Sequence, residues 1–150
     1  MSPGISEAAR DTDTVDPRIA AIIHDVLIAG PVARHLAIRV DRLAPDDVRL
    51  RLPFDPANVT TGRIVHGGVI ATLADVAGAA ASASGADPAG LRGGATQTLV
   101  VHYLRPAEGV DLVTETTVLS RSRGGTVTAV SVRDTHGHLV AQASVTSRIW

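Results

Sequence analysis

One stretch limits what this chain can become more than any other: GGVIATLADVAGAAASASG, residues 67–85. It is apolar almost all round and rich in alanine, so it reads as a helix buried on every side. Its most apolar part, residues 69–83, is too short to span a bilayer and carries Asp75 in its middle, which points to a soluble protein. Gly85 and Asp87-Pro88 end the helix. A helix with no polar face needs another element to wrap it.

The strand-like segments provide that cover. Four fall in the last third of the chain, at 96–104, 110–119, 126–133 and 139–149, with Gly124-Gly125 and His136-Gly137 as turns between them. The last run alternates most clearly, with Leu139, Ala141, Ala143 and Val145 on one face and Gln142, Ser144 and Thr146 on the other. Two further strands precede the helix. In the first, Arg34, Leu36, Ile38 and Val40 alternate with His35, Ala37, Arg39 and Asp41. In the second, Val48, Leu50, Leu52 and Phe54 alternate with Arg49 and Arg51, and Ala44-Pro45-Asp46 turns the pair into a hairpin. The segment from residue 53 to 65, with two prolines and Gly62, reads as irregular.

A short helix opens at Asp16-Pro17, a capping residue followed by a first-turn proline. Ile19, Ile22, Ile23, Val26 and Leu27 give it one apolar stripe, and Gly30-Pro31 stops it. Residues 1–15, MSPGISEAARDTDTV, lack a basic start and an apolar run, so they read as a polar tail rather than a signal peptide. The sum is a single α+β domain over residues 16–150: about six antiparallel strands covering one long helix.

Composition removes several function classes. Aromatic residues are 2% of the chain, so the core must be aliphatic, and stacking platforms for single-stranded nucleic acid are missing. A net charge of −1 gives no basic footprint for nucleic acid. With no cysteine there can be no disulfide, thiolate nucleophile or Cys-based zinc site, and a cytoplasmic location fits.

Asp75 is the residue most in need of a use. Within a helix buried all round it has no obvious route to bulk water, and an unpaired buried carboxylate costs several kcal/mol, in order of magnitude. A plain structural carboxylate bonded to backbone is the blander alternative. His66-Gly67-Gly68 leads directly into the same helix. The first N–H groups of a helix lack internal partners and lie at the positive end of its dipole, a natural place to hold a carbonyl oxygen that becomes negative. A tight turn would explain the two glycines equally simply. His66 and Asp75 are nine residues apart, about two and a half turns, and so point to opposite sides. One subunit cannot easily bring both to one substrate, whereas a two-fold dimer can.

Asn58, HGGVIATLAD (66–75), TQTLVVHYLRPA (96–107) and SRSRGGTVTAVSVRDTHGHLVAQASV (120–145) together resemble, in order and spacing, the PaaI-like branch of the hotdog-fold thioesterases. The likeness covers roughly residues 32–149. It implies a curved sheet wrapped round the long helix, with subunits joined edge to edge as dimers that often pair into tetramers. It implies hydrolysis of an acyl-CoA without metal or cofactor. Asp75 would act as general base or nucleophile, the Gly67 N–H would polarise the thioester carbonyl, and Asn58 and His66 would help hold the carbonyl or the leaving thiol. Thr96 would position the attacking water. Arg121, Arg123, Gly124 and Gly68 would receive the CoA end.

Arg105, before Pro106, reads as structural. His136 and His138 form a His-x-His without a clear third ligand and belong to a turn rather than a metal site. His24, His35 and His102 read as surface or strand residues. The rival functions on the same fold are a non-catalytic acyl-CoA-binding protein, which would not need the catalytic set, and a hydratase or dehydratase, whose motif is missing.

Overall fold

The computed structural model describes residues 14–150; the expected tail falls almost wholly outside them. Asp16 caps the first helix, α1 (Pro17–Ile22), by accepting a hydrogen bond from the Arg18 N–H at 2.8 Å. The chain then widens into a π-helical segment, Ile23–Ile28, sealed by the Ala29 N–H bonding the His24 carbonyl five residues back. This winding breaks the expected apolar stripe. Ile19 and Ile23 are buried, but Val26 is 62% exposed because a wider turn rotates later side chains off the α-helical face.

Gly30-Pro31 does not simply stop the helix. Gly30 is the N-cap and Pro31 the first residue of another short helix, α2 (Pro31–His35). The expected strand at 34–41 is therefore half wrong. Ala37, at φ 55°, ends the helical turn, and strand β1 starts at Arg39 (Arg39–Ala44). Leu36 and Ile38 are buried as the alternation requires, but at a helix end and a loop. A period of two over three apolar residues cannot separate a strand from a turn.

The remaining strands follow the sequence closely: β2 (Asp47–Leu52), β5 (Gly94–Tyr103), β6 (Leu112–Ser122), β7 (Gly125–Asp134) and β8 (Leu139–Ile149). With β1 they form one antiparallel sheet in the order β1-β2-β6-β7-β8-β5. The segment expected to be irregular holds a 3-10 turn at Pro56–Asn58 and a small hairpin, β3 (Val59–Thr61) and β4 (Ile64–Val65).

The long helix α3 (Gly67–Ser84) lies across the sheet. Its 18 residues would reach across a bilayer by length and composition, contrary to the shorter estimate, but more than half of it is buried inside the protein. The core is aliphatic: Leu73, Ala74, Ala77, Ala80 and Ala81 of α3 meet Leu50, Leu112, Val130 and Val145 of the sheet. Alanine lets the helix come close. At Gly78 the approach is closer still, since a Cβ there would stand 2.5 Å from the Val145 Cβ. Any side chain at 78 would push helix and sheet apart.

Candidate active site

Two groups of polar residues lie along α3, each set by different elements. The first is the helix start. Asn58 ends the 3-10 turn, and its carbonyl accepts the His66 N–H at 2.9 Å, which ties the β3–β4 excursion back to the helix entry. His66 is the N-cap: its Nδ1 accepts the Gly68 N–H at 2.9 Å. An accepting Nδ1 places the proton of the neutral ring on Nε2. Gly68 is thus partly used by the protein itself, and no bond among the described residues takes the Gly67 N–H.

The second group is midway along the helix. Asp75 is half-buried, not sealed off as its surroundings in sequence suggested. The sheet covers one flank of α3, while Asp75, Val76 and Ala79 line an open cavity of about 350 Å³ on the other. Ile22, Val26, Leu27, Leu91 and Ile149 add aliphatic walls. Thr96, near the start of β5, donates its hydroxyl to Asp75 Oδ1 at 2.6 Å. The sheet brings residues 75 and 96 together because β5 runs beside β8 at the edge nearest this flank of the helix.

The two groups do not share a cavity. His66 and Gly68 line an apolar hollow of about 420 Å³ with Val32, His35, Leu36 and Val69. Gly67 lines another, of about 430 Å³, with Ile70, Tyr103 and residues 104–107. Nine helical residues advance about 13 Å, so one chain keeps the helix start and Asp75 apart.

The arginines divide. Arg121 donates through Nη1 to the Ser82 carbonyl at 2.8 Å and pairs with Asp46 through Nη2, so its guanidinium ties the end of α3 to the β1–β2 turn. Arg123 and Gly124 form the exposed tip of the β6–β7 hairpin, where Arg123 makes no ion pair among the described residues. The 104–105 corner is held by backbone, both N–H groups reaching the Val140 carbonyl at 2.8 and 3.2 Å. His24, His35 and His102 are exposed. His136 and His138 lie in the last hairpin turn, where their N–H groups and the His138 ring bond Asp134. Burial pushes the Asp134 carboxyl up, but those bonds outweigh it and hold it below the usual carboxylate range.

Sequence reasoning missed two residues of these surroundings. Tyr103 donates its hydroxyl to the Gly67 carbonyl at 2.7 Å, and His35 borders the hollow beside His66. Tyr103 was visible only as part of a corner pattern, and His35 was assigned to a strand.

A six-stranded antiparallel sheet over one central helix is the hotdog architecture. The sequence pattern of the thioesterase superfamily matches residues 62–141. A candidate esterase of Halobacterium salinarum is 34% identical over 103 residues, 67% of this chain and 68% of that protein. Among solved structures, the Escherichia coli PaaI protein of the phenylacetic acid degradation operon matches at TM-score 0.78 and 18% identity, covering 91% of this chain and 96% of its own. A hypothetical thioesterase of Streptococcus pneumoniae TIGR4, solved with coenzyme A, matches at TM-score 0.67 and 19% identity over 75% of this chain and 85% of its own. The chain belongs to the thioesterase superfamily, as a PaaI-like hotdog protein and a thioester hydrolase.

Proposed function

We propose that the protein hydrolyses acyl-CoA thioesters in the cytoplasm, at sites built across a two-fold dimer and in need of no metal or cofactor. The observation that carries this reading is the Thr96–Asp75 hydrogen bond at the head of an aliphatic cavity. A thioester carbonyl is already activated, so one positioned carboxylate and one oxyanion donor suffice, contributing about 10²–10⁴-fold and 10²–10³-fold respectively. Asp75 takes a proton from water, or attacks the carbonyl itself, while Thr96 orients the reacting oxygen. The Gly67 N–H, with the His66 Nε2–H and Asn58 beside it, holds the carbonyl oxygen as the C–S bond breaks and the CoA thiolate leaves. The CoA-bound relative supports CoA as the leaving thiol. Of the arginines, Arg123, which makes no ion pair among the described residues, suits phosphate better than Arg121, which already has Asp46.

Two observations support the dimer. The catalytic groups face separate cavities within one chain, and β5 is an edge strand carrying exposed Val100 and Tyr103, 45% and 52% accessible. An unpaired apolar edge is a template for a second copy. Edge-to-edge pairing would bring the helix start of one subunit to Asp75 of the other, and such dimers can pair further into tetramers.

The test follows CoA release with a thiol reagent for the wild type and Asp75→Asn over esters from acetyl- through medium-chain to phenylacetyl- and benzoyl-CoA. The chain has no cysteine, so every thiol signal is product. Turnover of some ester, with a loss of about two orders of magnitude or more in the variant, is the expected result. Binding without cleavage would leave an acyl-CoA-binding protein instead.

A further inference from the structure

The helix start is held by more than its own cap. Around residues 66–68 the His66 N–H goes to the Asn58 carbonyl, the Gly68 N–H to His66 Nδ1, and the Gly67 carbonyl takes the Tyr103 hydroxyl. The Thr72 hydroxyl donates to the Gly68 carbonyl, and the His66 carbonyl accepts two helical N–H groups. Two polar groups of this turn are left without a partner among the described residues: the Gly67 N–H and His66 Nε2. Tyr103 comes from the far end of β5, a separate element, so its bond fixes residue 67 against the sheet rather than against its own helix. The ring is close as well: a Cβ on residue 67 would lie 3.4 Å from the Tyr103 Cζ.

A glycine at a helix start has wide backbone freedom. An oxyanion donor works because its direction is set before charge develops. We propose that Tyr103 is a positioning residue: by holding the Gly67 carbonyl, in the 67–68 peptide, it fixes the dihedrals at the Gly67 Cα and through them the direction in which the N–H of the adjoining 66–67 peptide meets the thioester carbonyl. The inference rests on the reading of Gly67 as the carbonyl donor. Tyr103 is 52% exposed in the single chain, so it gives little to that chain's core.

Tyr103→Phe deletes the hydroxyl and keeps the ring. Expected is a fall in kcat of about 10- to 100-fold with a smaller rise in KM, the pattern of a contact present in the ground state and strengthened in the transition state. Binding gives a readout free of turnover. The probes are S-octyl-CoA, a thioether without a carbonyl, and the octanoyl-CoA analogue in which CH2 replaces sulfur and the carbonyl remains. The wild type should prefer the ketone, and Tyr103→Phe should lose most of that preference while binding the thioether unchanged. A variant with wild-type kcat and undiminished ketone preference overturns the role of Tyr103 and leaves the thioesterase reading intact. A Tm that drops while binding of the thioether weakens as much as that of the ketone shows a structural side chain and overturns it too. If the wild type neither cleaves any ester nor prefers the ketone, the carbonyl-donor reading fails and this inference falls with it.

Discussion

At residues 66–68 the chemistry offered is that of the backbone, a free N–H at the positive end of a helix; nine residues on, at Asp75, it is that of a side chain held by one hydroxyl. The first region is made by local geometry: a cap, a glycine pair and a returning 3-10 turn fix it almost without the sheet, Tyr103 excepted. The second is made by packing, because Asp75 gains its partner only where β5 passes the flank of α3. A helix start presents N–H groups in any fold. A mid-helix carboxylate has meaning only once the neighbouring elements are in place. Under the proposed function the division also separates the two roles, one stabilising charge on the substrate and the other moving a proton, by about 13 Å along one chain.

The strongest way to break this comparison is to delete the backbone donor alone. Gly67→Pro removes the N–H at a first-turn position where proline is tolerated, after a His66 that is already extended at φ −60°, ψ 133°. Loss of about 10²–10³-fold in kcat with a nearly unchanged Tm is expected, by steady-state kinetics and thermal melting. Mixing Gly67→Pro with Asp75→Asn subunits sharpens it further. If each site takes one group from each subunit, random exchange should restore about a quarter of wild-type activity, since half the dimers then carry one intact site. No recovery after verified exchange would put both groups in one chain's site.

Next in size, Thr96→Val should lower kcat roughly tenfold by freeing Asp75, the scale of a hydrogen bond to a charged group. The rate should recover in Thr96→Ser, which keeps the hydroxyl. The arginines give a smaller contrast. Arg121→Ala should cost about 1–2 kcal/mol in urea unfolding by releasing the Ser82 carbonyl and Asp46, with KM little changed. Arg123→Ala should leave stability alone and raise KM for CoA esters a few-fold, more at low salt than at high. Asp134, remote from both regions, should matter least. Its carboxyl is held below the usual range, so the stability it adds is present above its unfolded value near 3.9 and is lost as pH falls through the folded one. Asp134→Asn should flatten that acid limb of the melting curve without touching kcat.

Much of the fold was legible because its signals are periodic and local. The alternation along 139–149 and the apolar run of 67–85 describe β8 and α3 almost to the residue. The errors came where a short apolar pattern fits two structures. Leu36 and Ile38 are buried as a strand would bury them, yet Pro31 and Ala37 build a helical turn there. The stripe from Ile19 to Leu27 assumed a uniform winding that the π-helical segment abandons. Arg121 pairs with Asp46, 75 positions earlier, a link that nothing in the sequence points to.

By itself the sequence determined the class of fold, the aliphatic core and the residues rich enough in chemistry to matter, because spacing, charge and backbone freedom are written residue by residue. Only the tertiary structure decided that Asp75 meets Thr96 at an open cavity, that Arg121 is bound to Ser82 and Asp46, and that Tyr103 reaches Gly67. Each of those contacts joins segments 21 to 75 residues apart, and a bond of that kind depends on how the sheet and helix pack, which no local pattern specifies.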